Sequence, residues 1–195
     1  MQSLREAIAE FQKSGKALGH FNISDSNQLH AIALAAKETG LPAIVGLSEG
    51  EREFFPLSHA KALVDVYRGH GLSLYLNADH TYSIEKIERA ITVGCDSVIF
   101  DGAKLALEEN IVQTEACVKR ARGSGRDVVV EGELGYIGSS SKQLDGMPEG
   151  VTPENLTTVE DAKKFVTETG VDCLAPAVGN MHGMLKNAAE PRLHP

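Results

Sequence analysis

Cysteine is scarce and unpatterned in this chain. Only Cys95, Cys117 and Cys173 are present, odd in number, widely spaced and without a C-x-x-C pair. That argues against a disulfide framework or a cysteine zinc knuckle and fits a reducing cytoplasm. Cys95 and Cys173 each open an apolar run and read as small buried residues. Long apolar runs are missing too: none approaches the roughly 18 residues of a membrane span. The N-terminal MQSLREAIAEFQKSG mixes acids and bases and reads as an amphipathic helix, not as a signal peptide. Positive charge is in deficit, with 19 Lys and Arg against 27 Asp and Glu, a formal net charge of −8. A field of that sign disfavours nucleic acid and anionic membrane surfaces. It leaves room for a small anionic substrate wherever local lysines or a metal override it.

What is there is a regular alternation. Strand-like apolar runs occupy 16–23, 41–48, 72–79, 96–102, 127–135 and 173–180, with helical patterns between them. SDSNQLHAIALAAKETG opens on Ser/Asp capping candidates, carries Leu29, Ile32, Ala33 and Ala36 on one face, and stops at Gly40. SIEKIERAITVG runs from Ser83 to Gly94, and Thr157 to Glu160 has the T-x-x-E form of a capping box before a helix ending at Gly170. Strands alternating with helices predict βαβ units and a parallel sheet, in one α/β domain over 1–195. The strand spacing suits a TIM (β/α)8 barrel or a doubly wound sheet. No G-x-G-x-x-G follows the first strand, so a dinucleotide-binding reading loses its main support.

Chemically capable residues stand at the C-terminal end of every strand: Asn22, Ser48, Asp79 with His80, Asp101, Glu131 with Glu133, and Asn180 with His182. In a barrel those ends share one face, where the active site is built. Any one such residue could simply mark a turn; six strands each ending so point to a site. His80, Glu133 and His182 are residue types that bind Zn2+, and without an H-E-x-x-H helix they must be assembled by the fold. Neighbours on a strand point to opposite sides, so Asp79 and His80 can both face the site only if the strand bends as it exits. A carboxylate there is a natural proton donor or acceptor. His20 reads as structural support, and His30, His59 and His70 as ordinary surface or core residues.

NADHTYS, DGAKLALEENI, EGELGYIG and APAVGNMHGMLK, in that order, resemble the class II, metal-dependent fructose-bisphosphate aldolases, and FNISDSNQLHAIALAAKETGLPAIVGLSEG resembles the family's first βαβ unit. The resemblance implies a (β/α)8 barrel, cytoplasmic and dimeric or tetrameric. It implies reversible cleavage of fructose 1,6-bisphosphate to dihydroxyacetone phosphate and glyceraldehyde 3-phosphate, a step of glycolysis and gluconeogenesis. Residue by residue, His80, Glu133 and His182 match metal ligands and Asp79 the acid/base on the aldehyde oxygen. Asp101 and Glu131 match carboxylates able to hold a second or displaced cation. Gly183 and Lys186 match the segment around the substrate phosphate and a monovalent cation, and Asn22 and Ser48 match polar residues of the substrate cleft. The implied ion is Zn2+, with Co2+ or Mn2+ as alternatives. It stabilises the carbanion left beside a carbonyl by carbon–carbon cleavage, so Lys104 and Lys186 read as phosphate or surface groups, not as Schiff-base lysines.

Two stretches depart from the family pattern. The loop after EGELG carries Ser139, Ser140, Ser141 and Lys142 where acids are expected, leaving Asp145 and Glu149 as the nearest carboxylates for proton abstraction. Only about six of the eight βα units are present, and the sequence ends before the strand that carries the family's third imidazole; His194 lacks its Gly-Gly-Ser-Gly context. Alternative readings are an aldolase for tagatose 1,6-bisphosphate or a related ketose bisphosphate, and a catalytically silent aldolase-like domain.

Overall fold

The computed structural model describes residues 2–138, 142–148, 150–152, 156–187 and 192–194. In chain order the elements are α1 (Leu4–Lys13), β1 (His20–Asn22), α2 (Ser26–Thr39), β2 (Ala43–Leu47), α3 (Glu51–Phe54), α4 (Leu57–Gly69), β3 (Leu74–Thr81), α5 (Ile84–Val93), β4 (Ser97–Phe100), α6 (Leu107–Gly123), β5 (Val129–Leu134), β6 (Gln143–Leu144), α7 (Val159–Thr169), β7 (Cys173–Pro176) and β8 (Met184–Leu185). All six expected strands form. They pair in parallel in the order β1-β2-β3-β4-β5-β7, while β6 and β8 make a separate two-stranded ribbon. The helices pack on the outer side of the six-stranded sheet, which is the βα repeat of a TIM barrel carried through six strands.

Local chemistry sets the helix ends. Ser3 and Glu6 close a reciprocal capping box on α1; Asp25 caps α2, and Gly40 ends it at φ 67°. Ser83 and Gly94 bound α5 as expected. The cap of α7 lies one residue later than the T-x-x-E pattern suggested. Thr158 accepts from Asp161 N–H at 3.0 Å, while the Thr157 hydroxyl donates to Leu134 C=O at 2.6 Å and ties the helix entry to β5. Between β2 and β3 the helical segment is split at Pro56, whose missing N–H suits a helix start.

Strand alternation separates two cores. Val45, Leu47, Leu74, Leu76, Val98 and Val130 point outward and are buried beneath the helices with Leu29, Val64 and Ile87. α1 covers the end of the sheet at the strand starts: Leu4 and Ala7 pack on Tyr75 and Val129, flanked by Ile8, Leu18, Ile44 and Cys173. Cys95 and Cys117 are buried, Cys173 is partly so, and all three are free. Among the described residues no helix is long and apolar enough to cross a membrane.

Arg5 fastens α1 to the sheet. Its guanidinium donates to Asp172 Oδ1 at 2.6 Å, to Asp127 Oδ1 at 2.9 Å and to Val128 C=O at 3.3 Å. Asp172 also accepts from Arg122 at 2.7 Å and from Val130 N–H at 2.9 Å. Burial would raise the Asp172 carboxyl, but hydrogen bonds from Arg5, Arg122 and Val130 together outweigh it and hold the pKa at about 2, below the ordinary 3.8. A carboxyl depressed on folding stabilises the fold above its unfolded pKa and loses that contribution as pH falls through the folded value. Arg5→Ala is therefore expected to cost about 1–2 kcal/mol at pH 7 in urea unfolding, because charged hydrogen bonds are lost from a partly exposed site. The gap between variant and parent should narrow between about pH 4 and pH 2 as Asp172 protonates; a pH-independent gap would show that the clasp is not electrostatic.

Candidate active site

The end of β3 is bent by one extra residue. Ala78 pairs with Val98 and the next register pair is Thr81 with Phe100, so Asp79 and His80 together oppose the single Ile99. His80 takes φ 40°, alone among the described non-glycine residues in having a positive value. The bend expected from the Asp-His sequence is thus a bulge with a left-handed histidine. It lets both side chains enter one cavity of about 550 Å3, lined also by Asn22, Glu131, Glu133, Asn180 and His182.

His80 is the hub of that cavity. Its Nδ1 lies 2.9 Å from Asp101 Oδ2 and 3.1 Å from Glu133 Oε1, and its Nε2 lies 3.1 Å from His182 Nε2. The hydrogen bonds to Asp101 and Glu133 push the His80 pKa up to about 11 against the opposing effect of burial. His182 is lowered by burial and by the neighbouring His80 charge, so it remains the neutral acceptor of the pair. Burial raises Glu133. It would raise Asp101 too, but His80, the Ala103 N–H and the Tyr82 hydroxyl hold that carboxyl below 3.8. One step deeper, Glu131 is pushed up to about 7 by burial and by the charges of Glu133 and Asp79.

Asp79, Glu131 and Glu133 line the cavity with His20, His80 and His182, and Asp101 adjoins through His80; carboxylates crowded in this way favour a bound cation. His80, Asp101 and Glu133 present ligand atoms within 4.8 Å of one another, with His182 adjoining through the second nitrogen of His80. This mixed imidazole–carboxylate set fits a divalent ion of the zinc, cobalt or manganese type. The grouping differs from the expected trio of His80, Glu133 and His182 in two respects: Asp101 joins His80 and Glu133 directly, and His182 stands outside the group, against the far nitrogen of His80.

Other expected residues divide. Asn22 reaches the site, donating from Nδ2 to Asp79 Oδ2 at 2.7 Å. Its approach depends on Gly46, where a Cβ would lie 2.4 Å from His20 Nε2 and 2.8 Å from Asn22 Oδ1. Ser48 instead closes the turn into α3, its N–H donating to Glu51 Oε2 at 2.9 Å. Lys186 leaves β8 to pair with Asp145 at 2.9 Å, and neither lines the cavity. Gly183, at φ 94°, sits in the turn between His182 and β8 and does not line the cavity either. Glu149 and Ser139 to Ser141 lie outside the described residues; His194 does not line the cavity, and its backbone N–H donates to Val178 C=O at 2.6 Å.

Two supporting residues escaped the sequence reading. Asn110 of α6 is 1% exposed and donates from Nδ2 to Glu133 C=O at 2.8 Å while Thr114 donates to its Oδ1. The available signal was a polar residue on the apolar face of its helix, in register with Thr114, Cys117 and Val118. Arg52 of α3 contacts the bulge itself, and nothing local marks it.

The class-II fructose-bisphosphate aldolase family model matches residues 2–195. A fructose-bisphosphate aldolase of Geobacillus stearothermophilus is 34% identical over 98% of this chain, and one of Staphylococcus aureus is 32% identical over 98%. The chain spans 65% of the length of each. Among solved structures, the YdjI aldolase from Escherichia coli superposes with a TM-score of 0.80 at 27% identity, covering 98% of this chain and 64% of that one.

Two outcomes follow from the geometry. Gly46→Ala should fold but separate Asn22 from Asp79, read as loss of the shifted, exchange-protected Asn22 side-chain amide in NMR; an unmoved amide would mean that the strand has slack there. His80→Ala should emerge from gel filtration in Zn2+ without stoichiometric metal, whereas Lys186→Ala should retain it. Metal kept by His80→Ala would remove that residue from the donor set.

Proposed function

Because the chain belongs to the class-II fructose-bisphosphate aldolase family, we propose that it is the site-bearing part of a zinc-dependent aldolase that reversibly cleaves fructose 1,6-bisphosphate into dihydroxyacetone phosphate and glyceraldehyde 3-phosphate. The observation that carries this reading is the bulge that turns Asp79 and His80 into one cavity with Glu133 and His182, where Asp101 meets His80 Nδ1. His80, Asp101 and Glu133, with His182 beside them, would hold the ion, and Glu131 lines the cavity below. When bound, the ion supplies a positive charge that stabilises the electron pair left beside the ketone.

The chain's own residues handle the proton. In the cleavage direction Asp79 accepts the proton of the C4 hydroxyl as the C3–C4 bond breaks, and the bonding pair stays on C3. In the condensation direction Asp79 returns that proton to the aldehyde oxygen. Asn22 orients this carboxylate by donating to Oδ2, leaving the other oxygen for substrate. Asp79 is 6% exposed, so bulk water competes poorly for the proton. Gly183 and Lys186 remain candidates for the phosphate end, with Lys186 held by Asp145 in this conformation. The same reading makes the protein a homo-oligomer of cytoplasmic carbohydrate metabolism.

The test is turnover of fructose 1,6-bisphosphate, and of its C4 epimer tagatose 1,6-bisphosphate, with Zn2+ and after chelation. The expected result is chelator-sensitive cleavage favouring the fructose epimer. Asp79→Ala should keep its metal and lose kcat by about 100-fold or more, as for removal of a general acid–base group. Full turnover without metal, or in Asp79→Ala, would overturn the assignment; a preference for the tagatose epimer would change the substrate and keep the chemistry.

A further inference from the structure

A left-handed histidine inside a strand is strained, and such conformations persist only where their surroundings over-determine them. The bulge also disrupts the β3–β4 ladder at Asp79 and His80, so the Asp79 carbonyl needs another donor. That donor is Arg52. Its Nη2 donates to Asp79 C=O and to Thr81 Oγ1 at 2.7 Å, and its Nε donates to Leu47 C=O at 2.9 Å. One planar guanidinium therefore spans the last residue of β2 and both flanks of His80. Thr81 is fully buried, and its hydroxyl also lies 3.3 Å from Ala78 C=O, so the same fork reaches the residue where the register slips.

We infer that Arg52 is a positioning residue for the candidate active site: it holds the bulge that aims His80 at Asp101 and Glu133 and keeps Asp79 facing the cavity. Arg52 does not line that cavity and acts only through the backbone on either side of His80. Lysine cannot replace it, because a single ammonium on a flexible stem lacks the fixed fork that reaches three acceptors on two strands. This inference rests on the reading of His80 and Asp79 as metal ligand and proton-transfer group, and it adds the residue on which their orientation depends.

The test compares the parent chain with Arg52→Lys and Thr81→Val. Thr81→Val is nearly isosteric and removes only the hydroxyl leg of the clamp. In the metal-free chain, 15N NMR of the imidazoles reports the His80 Nδ1 hydrogen bond, and Zn2+ affinity is read by competition with a chromophoric chelator. Arg52→Lys is expected to fold, to lose the hydrogen-bonded His80 Nδ1 signal, and to bind Zn2+ about 10–100-fold more weakly, the usual cost of removing an outer support of a metal site. Its kcat should fall with KM little changed, since Arg52 meets no substrate group. Thr81→Val should move each readout the same way by about threefold, and it decides the matter if Arg52→Lys does not fold. A folded Arg52→Lys chain with the parent His80 signal and zinc affinity within about twofold would overturn the inference. If the parent chain bound no Zn2+, the metal reading would fall, and the His80 signal alone would still decide the role of Arg52.

Discussion

The site depends on one backbone constraint, the insertion of a single residue at the end of β3. A regular strand would place Asp79 inside the barrel and turn His80 outward among the helices. The slip between Ala78 and Thr81 and the positive φ of His80 cancel that alternation, so adjacent residues share a cavity. Everything chemical about the site follows from this placement. His80 then reaches carboxylates contributed by the ends of β4 and β5 and a second imidazole from beyond β7.

Bringing those groups together is electrostatically expensive. Asp79, Asp101, Glu131 and Glu133 crowd into partly desolvated space, and Glu131 titrates near 7 because burial and like charges oppose its ionisation. Such a cluster is tolerable when a cation, a proton on His80 or a metal ion, offsets it. Neutral supports carry the rest: Asn22 on Asp79, and Asn110 on the backbone of Glu133. These donors fix direction without adding charge.

The opposite end of the sheet is built for stability. Near the strand starts α1 covers Tyr75 and Val129 with Leu4 and Ala7, while Arg5 locks onto Asp172 and Asp127. Along β3 and β5 the inward side chains pass from Tyr75 and Val129 to Asp79 and Glu133. The split lets strained and charged geometry at one end rest on ordinary packing at the other.

Much of this was legible locally. Caps at Ser3, Asp25 and Ser83, glycines at 40 and 94, and the switch between strand and helix periods are written in short windows, because capping and amphipathicity need only neighbouring residues. The sequence by itself therefore determined the βα repeat and the residues that stand at strand ends. Tertiary structure alone decided which of them meet: Asp101 with His80, Ser48 with Glu51, Lys186 with Asp145. It also decided that Arg52 clamps a strand lying 27 to 29 residues further along. Those pairings depend on strand register and on where side chains from distant segments converge, and no local pattern encodes either.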